Sequence, residues 1–310
     1  MKAVRIHEYG NEDVLKLEDI PIPEIKEDEL LIRIYASGVN PVDWKIREGG
    51  YRAMNIHILP LTLGWDLSGV VEKAGSKASG FKPGDEVYSR PPVERDGTYA
   101  EFIAVPAKDV ARKPPSLTHV EAAGVPLAGI TAWESLVTTA GIQKGQKVLI
   151  HAASGGVGSF AVQIAKAKGC YVIGTTSTIN VDLVKSLGAD EVIDYKKVEF
   201  SEHLKDVDVV FDTLGGTVFD NSWKVLKKGG MLVSITHKPE VSIADSLGVR
   251  SAYVLIGPNV PVLNQLTDLI EDLKIRPLID SVFSLEEVKK AQLLSQSGRA
   301  RGKIVLKVKI

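Results

Sequence analysis

The sequence predicts an α/β protein of two domains: a β-rich, barrel-like module followed by a doubly wound parallel sheet. Three observations carry that prediction. The chain has 310 residues, a length that points to about two domains. Its first 110 or so residues are short apolar runs broken by turns, and its middle third alternates strand and helix patterns. A glycine cluster, Ala153-Ser154-Gly155-Gly156-Val157-Gly158, falls between one such strand and one such helix.

In the first module, 30–36 and 67–74 read as strands. Gly75, Gly80, Pro83-Gly84-Asp85 and Asp96-Gly97 read as turns, with further strands at 86–88 and 99–105. From about Leu117 the rhythm changes. Thr118 is placed to cap a helix, with Glu121 three residues on as its capping-box partner, and a second helix is expected over 130–140. Strands at 147–150, 171–174, 191–194, 207–212, 230–235 and 252–256 then alternate with helices at 157–168, 181–187 and 221–226. Short, nearly continuous apolar strands separated by helices imply a parallel sheet covered on both faces. After Pro258 come a helix at 262–273, a strand, a charged helix at 285–294 and a last strand at 303–307, a tail expected to pack back on the first module. The boundaries are therefore set at 1–120, 121–258 and 259–310.

Composition excludes several classes. The net charge is -1 and no Lys/Arg block stands out, so nothing marks a nucleic-acid partner. The single cysteine, Cys170, rules out an internal disulfide and a Cys-rich metal site and fits a reducing compartment. The N-terminus becomes charged too early for a signal peptide, and no apolar run reaches the roughly 20 residues of a membrane helix. These features predict a cytoplasmic protein without a membrane partner.

The glycine cluster has the context of a dinucleotide loop. Gly155 lets backbone approach a pyrophosphate, Gly158 lets the helix lie close on the strand, and the helix N-terminus offers free N–H groups. The strict G-x-G-x-x-G pattern is not met, because Ala153 stands at its first glycine. The second strand ends in Thr175-Thr176-Ser177, where an NAD-preferring site usually carries an acid. Hydroxyls tolerate a 2′-phosphate that a carboxylate repels, so NADPH is expected over NADH. The same hydroxyls also suit a helix N-cap.

Several motifs then resemble one family across nearly the whole chain. They are Ser37-Gly38-Val39-Asn40-Pro41-Val42-Asp43, Gly64-Trp65-Asp66 with the following Leu67 to Val71, Phe81 to Tyr88, Ala122 to Leu127, Gly129 to Trp133, Ala153 to Gly158, Leu187 to Asp190, and Gly302 to Leu306. The chain resembles the zinc-free quinone oxidoreductase branch of the medium-chain dehydrogenases/reductases, and within it the enone and alkenal reductases. The resemblance implies a GroES-like catalytic domain, a Rossmann domain binding NADPH, and a C-terminal return to the catalytic domain. Zinc-dependent relatives carry Cys at the position of Asn40 and Gly-His-Glu at Gly64-Trp65-Asp66. An amide and an indole replace the thiolate and the imidazole, so no metal is expected.

Without a Lewis acid, a quinone or an α,β-unsaturated carbonyl is the better hydride acceptor, because charge spreads onto an oxygen that a donor can meet. The resemblance implies Lys45, then Tyr51, as that donor, with Asn40 and Trp65 at the substrate pocket. It implies cofactor contacts from Thr131, Ser154, Gly155, Gly156, Val157, Gly158, Thr176, Ser177, Tyr195, Leu214, Gly215, Thr236, Arg301 and Lys303. Several also have a plainer reading: exposed charge for Lys45, Arg301 and Lys303, a core or rim aromatic for Tyr51, and a plug of the vacated metal site for Trp65. The expected function is NADPH-dependent reduction of quinones or enones. The alternatives are reduction of a specialised unsaturated acid or an alkenal, or a catalytically silent NADPH-binding protein. Residues 253–256 read as an edge strand able to pair with a second copy, which predicts a homodimer.

Overall fold

The computed structural model describes residues 1–308. The chain divides into two compact units: Met1–Leu127 with Gly257–Glu271 and the chain from Pro277 onward, and Ala128–Ile256 with Asp272–Arg276. No helix among the described residues is long and apolar enough to cross a membrane.

The first unit is built on a seven-stranded sheet. Its order is Ile279–Ser284, Lys303–Lys307, Glu29–Val39, Leu67–Ala74, Glu86–Ser89 and Val110–Arg112, with Phe102–Pro106 also pairing with Glu29–Val39. The long strand Glu29–Val39 organises it, alternating buried Leu30, Ile32, Ile34 and Ala36 with half-buried positions. Leu30, Ile32, Ile34, Leu67, Val71, Val87 and Val105 form one apolar core. Lys303–Lys307 adds antiparallel to the far end of the long strand, Ile304 opposite Val39 and Val305 opposite Gly38. A smaller sheet of Lys16–Asp19, Lys2–Ile6 and Leu61–Thr62 stands beside it. The expected capping box forms: Thr118 Oγ1 accepts from Glu121 N at 3.3 Å and Glu121 Oε2 accepts from Thr118 N at 2.9 Å, starting the helix His119–Ala123. The helix Pro41–Arg47 starts at Pro41, with Asp43 as a helix-start carboxylate accepting the Asn40 N–H at 2.7 Å.

The second unit is a six-stranded, wholly parallel sheet. In spatial order its strands are Glu191–Asp194, Tyr171–Thr176, Lys147–Ile150, Val207–Asp212, Leu226–Ser234 and Arg250–Tyr253. By chain order this is 3-2-1-4-5-6, so the sheet reverses direction of growth beside Lys147–Ile150, where dinucleotide folds hold their ligand. Some boundaries differ from expectation. The helix read at 130–140 is an α-helix, Pro126–Trp133, that passes into a π-helical stretch, Glu134–Thr139. The helix read at 221–226 is Gly216–Ser222. It begins earlier because Gly215, at φ +77, and Gly216, at φ +56, turn the chain straight after the strand. A helix at Val241–Leu247 has too weak a pattern to be read from sequence.

Candidate active site

In the second unit, the strand Lys147–Ile150 delivers the chain into the glycine loop. Ala152 takes a positive φ of 48, and Gly155 N donates to Ala152 O at 2.9 Å. Gly155 caps the helix Gly156–Ala167, whose first loop-to-helix bond is Ser159 N to Gly155 O at 2.9 Å. The amides of Gly156, Val157 and Gly158 precede that bond and are left for an anion. A Cβ on Gly158 would lie 2.2 Å from Ala152 O, so only glycine permits this close approach of helix to loop. These features fit a pyrophosphate.

Hydroxyls cluster beside the loop. Ser154 Oγ and Thr176 Oγ1 are 2.9 Å apart, and Asn180 Nδ2 reaches Ser154 Oγ and Ser177 Oγ, each at 3.3 Å. The register sets Thr176 opposite Asp194 on the next strand. The tip is therefore not free of acid, as residues 175–177 alone suggested. Asp194 is engaged by Thr178 Oγ1 at 2.6 Å, Lys196 N at 3.1 Å and Lys197 Nζ at 3.5 Å. The Thr178 hydroxyl, foremost, holds its carboxyl below the usual range. Tyr195, the next residue, is exposed.

Two further loops are tied by one carboxylate that sequence reasoning missed. Asp212 is fully buried. Its Oδ1 accepts from Leu214 N at 3.0 Å and Gly215 N at 2.9 Å, and its Oδ2 from Ser234 Oγ at 2.7 Å and Thr236 Oγ1 at 3.1 Å. It fixes Leu214, Gly215 and Thr236 as a set. Below the loop lies His151, also buried. Ser222 Oγ already donates to Val218 O at 2.7 Å, so it accepts from His151 Nε2–H at 3.0 Å, and Nδ1 accepts from Thr175 Oγ1 at 3.1 Å. Burial pushes its pKa down to about 4, so the ring is neutral.

In the first unit, the end of the long strand brings together a buried polar network. Asn40, Asp43, Asp66 and Lys303 are each at most 3% exposed. Lys303 follows Asn40 in the strand register, one step past the Ile304–Val39 pair. Its ammonium donates to Asn40 Oδ1, to Asp66 Oδ2 at 3.2 Å and to Val39 O at 3.4 Å, which uses all three of its N–H groups. Asn40 Nδ2 donates to Asp66 Oδ2 at 2.9 Å, and Leu127 N donates to Asp66 Oδ1 at 2.6 Å. Gly38 makes room: a Cβ there would lie 2.7 Å from Asp66 Oδ2. Burial pushes the Asp66 carboxyl up, against the pull of Lys303. Asp43 accepts from Tyr99 Oη at 2.6 Å and is raised to about 7, chiefly by burial. Sequence reasoning missed the depth of this network, because the strand pairing that assembles it is invisible in the motif.

The other predicted residues fall as follows. Lys45 is on the exposed face of Pro41–Arg47, its Nζ 5.7 Å from the Trp44 ring centroid. Tyr51 is half-buried against the core that contains Trp65. Trp65 is fully buried, its Nε1 donating to Arg95 O at 3.4 Å. Thr131 is buried. Arg301 is exposed, its amide bonded to Asp280 Oδ1 at 3.1 Å. Among the described residues no group of three or more His, Cys, Asp or Glu is arranged to hold a metal ion.

A 3-2-1-4-5-6 sheet with open loop amides at its switch point defines a dinucleotide-binding protein. Comparison with known proteins gives its family. Residues 26–115 match the alcohol dehydrogenase GroES-like domain, and residues 187–306 match the model described as zinc-binding dehydrogenase. The chain is 40% identical to 2-methylene-furan-3-one reductase of Solanum lycopersicum over 317 residues, covering 99% of this chain and 79% of the relative. It is 39% identical, with the same coverage, to the chloroplastic NADPH-dependent alkenal/one oxidoreductase of Arabidopsis thaliana. The solved quinone oxidoreductase of Coxiella burnetii superposes with a TM-score of 0.92 at 35% identity, over 100% of this chain and 99% of that one. The chain belongs to the medium-chain dehydrogenase/reductase family, in its quinone and enone oxidoreductase branch.

Proposed function

We propose that the chain is a zinc-independent NADPH-dependent reductase of quinones or α,β-unsaturated carbonyls. The observation that carries the cofactor is the glycine loop, with three unspent amides and a helix held close by Gly158. Relatives named for NADPH, enone and quinone reduction support the same reading. When bound, NADPH supplies the hydride that reduces the conjugated acceptor.

The chain's own residues bind, orient and donate. Gly156 to Gly158 hold the pyrophosphate, and Ser154, Thr176, Ser177 and Tyr195 take the adenosine end. Lys197 offsets the charge of Asp194 beside that end. Thr131, Leu214, Gly215 and Thr236 line the nicotinamide end, the last three fixed by Asp212. Arg301 stands just before the last strand, Lys303–Lys307. Lys303 serves Asn40 and Asp66 in place of a cofactor contact, and supports zinc independence because a fixed cation already bridges them. Lys45 and Tyr51 donate to the acceptor oxygen as negative charge reaches it. The strand Arg250–Tyr253 is an edge of its sheet, and Tyr253 and Leu255 are exposed beside it, which supports a homodimer. We place the protein in the cytoplasm.

Titration of the protein with NADPH and NADH, followed by cofactor fluorescence, tests the loop. NADPH is expected to bind more tightly, and Gly158→Ala to abolish saturable binding. Absorbance at 340 nm with 9,10-phenanthrenequinone and 1-octen-3-one as acceptors then tests the chemistry. Equal binding by Gly158→Ala and the wild type would sink the loop assignment.

A further inference from the structure

Two arginines are deeply buried in the first unit, and they are treated very differently. Arg47 is fully enclosed, and each of its three guanidinium nitrogens has a partner. Its Nε donates to Gly10 O at 3.2 Å, Nη1 to Gln292 Oε1 at 2.7 Å, and Nη2 to Glu48 Oε1 at 2.9 Å and Gln296 Oε1 at 3.3 Å. Arg90 is 6% exposed. Its hydrogen bond is a long one, Nη1 to Pro91 O at 3.3 Å, and its buried Nε has no partner. Among the described residues no carboxylate forms an ion pair with it. A guanidinium cannot escape by losing its proton, and a buried charge without a counter-ion costs several kcal/mol.

The register shows where this unpaired charge sits. Leu67 pairs with Ser89, and one step further Arg90 falls opposite Asp66. Gly38 N bonds to Asp66 O at 3.2 Å, and Gly38 pairs with Val305. Arg90 thus extends the row that holds the Asn40–Asp66–Lys303 network. The carboxylates of Asp66 and Glu94, then Tyr51 and Asp43, act on its charge through space. None supplies the missing hydrogen bonds, and Asp66 is already spent on Lys303, Asn40 and Leu127. His57 of the 51–60 loop bonds Val93 O at 2.8 Å, three residues beyond Arg90. The 51–60 loop is therefore anchored to the Arg90 segment.

We propose that Arg90 is a substrate-binding residue that takes a carboxylate carried by the acceptor, so that this enzyme prefers carboxylated enones over their neutral counterparts. The planar guanidinium presents its Nη donors in the geometry that suits a carboxylate, while Nε is closed off by the protein. The bound anion supplies the direct ion pair that the fold withholds. The inference rests on the reductase reading above and narrows its substrate class.

The test compares trans-3-benzoylacrylate with its methyl ester, which differ in charge, in one methyl group and in how strongly they activate the double bond. The change of their ratio between wild type and variant is therefore what reports on Arg90. With wild-type enzyme and NADPH, kcat/KM is expected to favour the acid. In Arg90→Met the acid-to-ester ratio falls about tenfold to a hundredfold, the range for a hydrogen bond to a charged group. The saturated analogue 3-benzoylpropionate, which cannot be reduced across the double bond, raises the Tm of wild type and leaves that of Arg90→Met unmoved. Arg90→Met itself melts no lower than wild type, because it removes an unpaired buried charge. An unchanged acid-to-ester ratio would overturn the proposal. So would equal stabilisation of both proteins by the analogue, or a weakened NADPH affinity in the variant, which would give Arg90 to the cofactor. Wild-type failure to reduce acid, ester or any quinone would instead sink the reductase reading, and the melting experiment still decides Arg90 alone.

Discussion

Asp66 and Asp212 are both fully buried carboxylates at the ends of strands, one in each unit, and they are satisfied by opposite means. Asp212 finds two backbone amides and two hydroxyls, all within 24 positions of itself in the chain. Asp66 depends on a cation 237 positions downstream, on Asn40, and on one backbone amide. The first arrangement stiffens a pair of neighbouring loops with neutral donors. The second joins the last strand of the chain to the motif after its long early strand, and it places a whole charge where a loss cannot be repaired locally.

The comparison breaks most readily at Lys303. Replacing it with Met leaves Asp66 buried without its ammonium, and removal of one partner from such a pair costs about 3–5 kcal/mol. Urea unfolding should show that loss as a lower midpoint. A change under about 1 kcal/mol would mean that Asn40 and Leu127 satisfy Asp66 alone.

The second unit should show its own dependence through His151, which is buried neutral. Its folded pKa of about 4 lies below the 6.5 of the free side chain. Between those values the unfolded chain takes up a proton that the native state refuses, so stability falls as pH drops from 6.5 to 4 and the loss levels off below. The contribution is about 3 kcal/mol. His151→Asn removes that titration and should flatten the acid limb of stability against pH. Parallel curves for the two proteins would show that His151 is not the group responsible.

The smallest effect is expected at Asp212. Asp212→Asn keeps an oxygen for the Leu214 and Gly215 amides and faces the two hydroxyls with an amide nitrogen, and both hydroxyls can rotate to accept from it. The loss is about 1–2 kcal/mol, measured by the same unfolding curves. A penalty as large as that of Lys303→Met would erase the distinction between the two networks.

The same contrast explains what could be read from the sequence. The glycine loop was legible because its geometry is local: a close approach at Gly158 and a cap at Gly155 need only adjacent residues. The Thr118–Glu121 capping box was legible for the same reason. The parallel sheet followed from short apolar strands between helices. The Asn40–Asp66–Lys303 network was not legible, because it exists only once Lys303–Lys307 pairs with the end of Glu29–Val39. Lys303 read as an exposed cation or a cofactor contact, yet its side chain is buried and fully bonded. Arg90 gave no signal, since nothing in Ser89-Arg90-Pro91 announces that its guanidinium is enclosed. Asp194 escaped notice because only strand register sets it opposite Thr176.

The bridging ammonium also shapes the routes by which this scaffold can change. To install a metal, a designer or a lineage needs more than a thiolate at position 40 and an imidazole at position 65. With Lys303 in place, those two changes would seat a dication against a fixed positive charge. With Lys303 removed first, Asp66 is stranded before any ligand arrives. Either of these orders passes through an unstable or non-binding intermediate, so the two chemistries are separated by a barrier in sequence space.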